Sequence, residues 1–352
     1  MAVIASITRP MGKELLVGEG QPVRVMALVG STSKADERSE ARKVEVLTAL
    51  SHGPDVIADL SLRVSDRPLW RRVLDAGFAA ATLPVYTVPR QNSLIDRAAL
   101  LERVTEQIEG GVGMITIHPT PRLDIIELAR SRRVPWTSRG GGLLIGDLLA
   151  RARGSNAYLE ILPDIATVAR THGTTISLGA SFRSGTAFDA DDAAQRAEIA
   201  FQSELAKDLK AAGCSVILEG PGHADPATIA TLAARLRKTG CPVMPLGPIP
   251  TDLAVGQDHI ASAIGATLQG LAGAAHILAA VTREEHTGGV PRLASTIEAV
   301  EASRIAARVI DRAMLGVSAE DEAVAMERSQ FRTCVAGRMR QGCSRCGDAC
   351  PL

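Results

Sequence analysis

"SVILEGPGH", residues Ser215 to His223, is a short apolar run that ends in a carboxylate, a Gly-Pro-Gly turn and an imidazole. A stretch of this length and β-branched character, closed by turn residues, reads as a strand buried on both faces. The same shape recurs along the chain. Runs begin at Val23 ("VRVMALVG"), Asp55, Ala79, Gly113, Val134 ("VPWTSRGGG"), Thr174, Ser215, Pro242 and Ala275, nine in all. Between them lie segments such as "DDAAQRAEIAFQSELAKDLKAAG", with apolar residues at helical spacing and Gly at the end. This alternation implies parallel strands with crossover helices, in a barrel or a doubly wound sheet. Polar and glycine residues stand at the ends of nearly every run: Tyr86, His118, Ser138-Arg139-Gly140, Arg183, Glu219 and His223. A barrel gathers all those ends at one mouth, whereas a doubly wound sheet concentrates them at one switch point. The expected fold is therefore α/β, a (β/α)8 TIM-type barrel. A barrel needs eight strands, so one of the nine runs is an extra strand or none at all.

Three segments are expected: an N-terminal extension over 1–22, the barrel over 23–314, and a C-terminal helical arm over 315–352. The arm follows from "GVSAEDEAVAMERSQFRTCVAGRMRQ", which is charged and lacks a strand pattern. Lys plus Arg and Asp plus Glu number 39 each, so no net field recruits nucleic acid or a membrane surface. Aromatics make up 3%, too few for base-stacking platforms. No stretch reads as a signal peptide or a bilayer span, and the expected location is cytoplasmic.

Cys214 and Cys241 lie beside apolar runs and read as buried core thiols, while the other cysteines crowd into the last 19 residues. Cys343, Cys346 and Cys350, in "CSRCGDAC", have the close spacing of a site that holds three irons of a [4Fe–4S] cluster. A zinc site completed by Cys334, a redox disulfide or an unliganded tail are the other readings. His223 and His286, each after an apolar run, suit a divalent metal, and equally suit two hydrogen-bonded polar residues. "SRGGG" opening a helix suits a phosphate or carboxylate, with Arg139 as its cation. The acidic residues of "FDADDAAQ" and the Asp258–His259 pair read as helix caps with no chemistry.

Taken together, "ADLSL", "PVY", "TIHPT", "SRGGG", "SLGASFRSG", "DADDAAQRAE", "ILEGPGH", "LGPIPTD", "GQDHIASAIG", "VTREEH" and the cysteine tail resemble the phosphomethylpyrimidine synthase (ThiC) family in order, over about Val23 to Leu352. The resemblance implies a radical S-adenosylmethionine (SAM) enzyme with a [4Fe–4S] cluster on Cys343, Cys346 and Cys350. It implies a homodimer, an external electron donor and a divalent metal, zinc or iron, on His223 and His286. Tyr86, His118, Ser138, Arg139, Gly140, Arg183 and Glu219 match contacts to a 5-aminoimidazole ribonucleotide-like substrate, with Glu219 and Arg183 as catalytic residues. The implied reaction is rearrangement of that ribonucleotide to the thiamin pyrimidine phosphate.

The chain departs from the family pattern at Met26, Leu28, Ala58, Ala180 and Met244, where the family carries other residues, and its cysteine motif is CxxCxxxC, one residue shorter. The departures leave room for two other readings. One is a paralogue with the same cofactors and another product, such as 5-hydroxybenzimidazole. The other is a non-catalytic ligand-binding homologue. A third, suggested by the histidines and not by the departures, is a zinc-dependent barrel hydrolase using His223 and His286 with Glu219 as base.

Overall fold

The computed structural model describes residues 3–151, 154–336 and 345–352. It opens with an antiparallel hairpin, β1 (Ile4–Thr8) and β2 (Glu14–Gly18). Then follow β3 (Arg24–Val29), β4 (Val56–Asp59), β5 (Ala79–Thr82), a small hairpin of β6 (Arg90–Gln91) and β7 (Leu94–Ile95), β8 (Met114–Ile117), β9 (Thr175–Leu178), β10 (Val216–Gly220), β11 (Val243–Pro245) and β12 (Ile277–Ala279). Eight of these form one parallel sheet in the order β11-β10-β9-β8-β5-β4-β3-β12. The seam between the end strands is bridged where His276 N donates to Val243 O at 2.9 Å and Val243 N donates to His276 Nδ1 at 3.0 Å. The sheet is thus nearly closed into the expected barrel. β4, β5, β8 and β9 are buried at every residue, which explains why they read as unbroken apolar runs rather than alternating ones.

The connecting helices are α1 (Glu37–Ala49), α2 (Leu69–Asp75), α3 (Arg97–Glu109), α4 (Leu123–Ala129), α5 (Arg139–Ala150), α6 (Ala157–Glu160), α7 (Leu162–His172), α8 (Ala193–Ala211), α9 (Pro226–Arg237), α10 (Asp258–Leu271), α11 (Leu293–Leu315) and α12 (Ala319–Gln330). The run from Val134 forms no strand, which resolves the excess of nine runs over eight. Its start is held elsewhere: Arg133 N and Val134 N donate to the Asp189 carboxylate at 3.2 and 3.0 Å, and Pro135 has no N–H to give a ladder. Ser138 instead caps α5, its Oγ accepting from Gly141 N at 3.0 Å.

The hairpin β1–β2 packs across the N-terminal ends of the barrel strands. Ala5, Ile7, Leu15 and Val17 are buried against Val56, Ala79, Met114 and Ile277. Ser6 N donates to Ser215 Oγ and Thr175 Oγ1 donates to Ser6 O, tying the hairpin to β9 and the start of β10. At the other end of the chain, α12 buries no residue, and ion pairs Arg308–Glu320 and Arg312–Asp321 hold it to α11. Cys346 and Cys350 are exposed on either side of a 3-10 turn, Gly347–Ala349, and Cys343 lies outside the described residues.

One close approach shapes the mouth. A Cβ on Gly265, midway along α10, would lie 1.9 Å from Pro248 O, on the loop after β11. Gly265→Ala is therefore expected to destabilise the protein by about 1–3 kcal/mol, because the helix must back away from that loop. Urea unfolding checks it: the midpoint falls with the slope unchanged.

Candidate active site

The C-terminal ends of the strands surround a cavity of about 270 Å³. Of the residues expected at the site, Tyr86, His118, Ser138, Arg139, Arg183, Glu219, His223 and His286 line it, and Gly140 stands behind the His118 ring. Residues far apart in the chain meet there because parallel strands all point the same way.

His118, one residue beyond β8, is clamped between two glycines. A Cβ on Gly140 would come within 2.4 Å of its ring, and one on Gly179 within 2.6 Å. Its Nε2 lies 3.0 Å from Ser138 Oγ and 4.0 Å from Glu219 Oε2. Burial, aided by the Arg183 charge, pulls the imidazole down to about 3, so it is neutral near pH 7. Glu219, in β10, accepts from Ala180 N at 3.0 Å. Burial pushes its carboxyl up, opposed by Arg183 and by that amide. A carboxyl held above its ordinary range beside a guanidinium suits proton transfer at a bound ring. Burial also raises the Tyr86 hydroxyl, and the Arg139 guanidinium lies 5.5 Å from the Tyr86 ring centroid.

The loop that carries Arg183 is held by residues the sequence did not single out. Glu198, on the inner face of α8, accepts from Ser181 N at 2.6 Å, Phe182 N at 2.9 Å and Thr120 Oγ1 at 2.6 Å. Gln202, one helical turn on, donates to Leu178 O and Gly179 O. Two polar residues four apart on a core-facing stripe are the only signal that would have marked them. The neighbouring cap reading holds for Asp192, which caps α8.

Burial raises the Glu198 carboxyl from 4.5 to about 7 in spite of its donors. The folded protein therefore keeps this proton at pH values where the unfolded chain loses it. The group's contribution is fully present below 4.5 and is lost as pH rises towards 7, at most ~3 kcal/mol. Glu198→Gln is expected to flatten that part of a melting-temperature series between pH 4.5 and 7; an unchanged slope would assign it to other groups.

At the edge of the cavity two imidazoles face each other. His223 Nε2 and His286 Nε2 lie 3.0 Å apart, with ring planes at 81°. Each Nδ1 meets a carboxylate: His223 to Asp252 Oδ1 at 2.6 Å, His286 to Asp258 Oδ1 at 2.5 Å. A carboxylate on Nδ1 keeps the proton there and leaves both Nε2 lone pairs pointing into the same gap. A divalent ion with metal–nitrogen bonds of about 2.0–2.1 Å spans such a gap with both bonds made. The donor set fits a metal. Burial lowers the His223 pKa, against Asp252, which keeps the ring in its ligating form. Among the described residues no group of three His, Cys, Asp or Glu side chains is placed to hold an ion, so its described protein ligands would be these two histidines.

The cap reading of Asp258 is corrected here. Gln257 holds the cap position of α10, and Asp258 turns one oxygen to His286 and the other to Gly256 N. Asp252, within "LGPIPTD", carries no local mark of its role in the sequence. Cys214 and Cys241 are buried as expected, and Cys334 is exposed. Of the departing positions, Met26, Leu28 and Ala58 line the cavity, Met244 packs inside the barrel, and Ala180 contributes its backbone N–H to Glu219.

Comparison with known proteins gives a consistent result. The model of the radical SAM ThiC family matches residues 1–336. Phosphomethylpyrimidine synthase from Methanopyrus kandleri is 33% identical over 378 residues, covering 98% of this chain and 86% of that one. A protein of that name from Thermus thermophilus is 32% identical, covering 96% and 83%. The one from Desulfotalea psychrophila is 29% identical and covers all of this chain and 88% of its own.

Proposed function

The chain belongs to the radical SAM ThiC family and is a radical SAM lyase-type enzyme, and from that premise we propose that it rearranges 5-aminoimidazole ribonucleotide to the phosphorylated pyrimidine of thiamin. The observation that carries this reading is the meeting, in one cavity, of a cationic polar wall and a carboxylate-backed histidine pair.

Family membership implies SAM and an iron–sulfur cluster. Cys346, Cys350 and Cys343 are the thiols for that cluster, the two described ones exposed beside a single turn. When bound, it supplies the electron that splits SAM and releases the 5′-deoxyadenosyl radical. The rest falls to side chains. Arg139 and the first turn of α5 receive the phosphate. Ser138, His118 and Tyr86 orient the sugar and ring; neutral His118 does so without adding to the positive charge of Arg139 and Arg183. Arg183 pairs with the developing charge on the substrate. Glu219 holds a proton and returns it as the ring is rebuilt. His223 and His286 would hold zinc or iron at the rim of the cavity, and the apolar strands would keep water away from the reaction. A second copy of the chain and an external reductant complete the working enzyme.

No helix among the described residues is long and apolar enough to cross a membrane.

An oxygen-free incubation with the ribonucleotide, SAM and dithionite, read by mass spectrometry, tests the reading. The pyrimidine phosphate and 5′-deoxyadenosine are expected together. A product of another mass would assign the chain to the paralogue reading. Unreacted ribonucleotide beside cleaved SAM would count against this substrate.

A further inference from the structure

The lining of the mouth changes character between its two halves. β8, β9, β10 and the loops after them supply His118, Arg183, Glu219 and His223. On the opposite side, β12, β3 and β4 and the residues just beyond them supply Ala279 and Val281, Met26 and Leu28, Ala58 and Leu60. These strands are direct neighbours, since β12 pairs with β3 and β3 with β4. None of the six side chains carries a hydrogen-bond donor, and the Met26 thioether is their one weak acceptor. The backbone there is also engaged: Ala280 N donates to Met26 O, and Leu60 N to Val29 O. One half of the cavity therefore answers polar groups, whereas the strand ends opposite answer none, Glu285 and His286 reaching the cavity only from the longer loop after β12.

We propose that this apolar arc selects the end of the ligand remote from the phosphate. It takes a phosphate ester whose ring turns an uncharged C–H edge towards Met26, Leu28 and Ala58, and it rejects one that carries a carboxylate or hydroxyl there. The proposal rests on the phosphate-binding reading of Arg139, which decides which end of the ligand is the remote one. A C–H edge gains from apolar contact. A carboxylate pressed against the same side chains loses its water and finds no partner. Selection works by exclusion as well as by fit.

The test is calorimetric titration of the full chain with 5-aminoimidazole ribonucleotide and with its ring 4-carboxylate, which keeps the same sugar and phosphate. The wild type is expected to bind the carboxylate ~100-fold more weakly or worse. Leu28→Asn, and separately Ala58→Ser, is expected to narrow that ratio by about tenfold, since each puts a hydrogen-bonding group into the arc. Thermal melts establish that the variants are folded, and the wild-type ratio stands without them. Equal binding of the two ligands by the wild type overturns the proposal and leaves the phosphate reading intact. Failure of the ribonucleotide to bind, or its binding unchanged in Arg139→Ala, overturns the phosphate reading and the proposal with it.

Discussion

Cys346→Ala, purified and reconstituted without oxygen, is expected to lose the reduced [4Fe–4S] EPR signal and its bound iron and sulfide, and with them all cleavage of SAM. Three thiolates leave one iron open for SAM, so the cluster has no spare protein ligand. The turn between Cys346 and Cys350 brings the last two cysteines of the motif to either side of one short 3-10 turn. Gly347 adopts φ +50°, a left-handed conformation that glycine enters at little cost. Ala349 N then donates to Cys346 O, and Cys350 N to Gly347 O. The two cysteines thus flank one tight turn rather than trailing along an extended tail. Cys334→Ala serves as the control. It is expected to leave the signal intact, and loss of signal there would point to a site completed by Cys334. A signal indifferent to Cys346 would detach the cluster from this motif.

The second large effect concerns the histidine pair. His223→Ala is expected to bring bound divalent metal to background after dialysis, since one imidazole and solvent make a poor site. Asp252→Asn is expected to weaken metal binding by about 10–100-fold. An asparagine amide can donate to Nδ1, which moves the imidazole proton to Nε2 and blocks the ligating lone pair. Asp258→Asn should act in the same way through His286. The graded pattern separates a metal site from a simple polar contact. Competition against a chelating dye measures it, and equal metal retention in all three variants would leave the histidines a hydrogen-bonded pair.

How much of this was legible in the sequence follows from the range of each signal. Eight strands were readable because a strand buried on both faces must be apolar throughout, and that mark is local. Val134 misled for the same reason: its neighbourhood is apolar, but Asp189, more than fifty residues on, takes its backbone donors. The mouth residues were readable because they sit at strand ends, where barrel geometry alone brings them together. Asp252 and Asp258 were not, because each acts across 28 or 29 residues on a histidine of another loop. Asp258 also opens a helix, and a local role at the helix start is sufficient to account for it. Glu198 was hidden in a helix whose apolar stripe continues past it. The hairpin β1–β2 left a faint trace in the alternation of Ile4, Ala5, Ser6 and Ile7, with Ala5 and Ile7 facing inward. The sequence alone shows it as an extension because its partner surface lies on strands far along the chain.

That hairpin has a kinetic corollary. With the floor of the barrel stoppered by Ala5, Ile7, Leu15 and Val17, everything that reacts must come and go through the opposite rim. Two reactants that share one doorway queue. Whichever lies deeper enters first and departs last, so the order of binding is imposed by architecture rather than by relative affinity. Were the two reactants of the proposed reaction to share this cavity, the later one would close over the earlier.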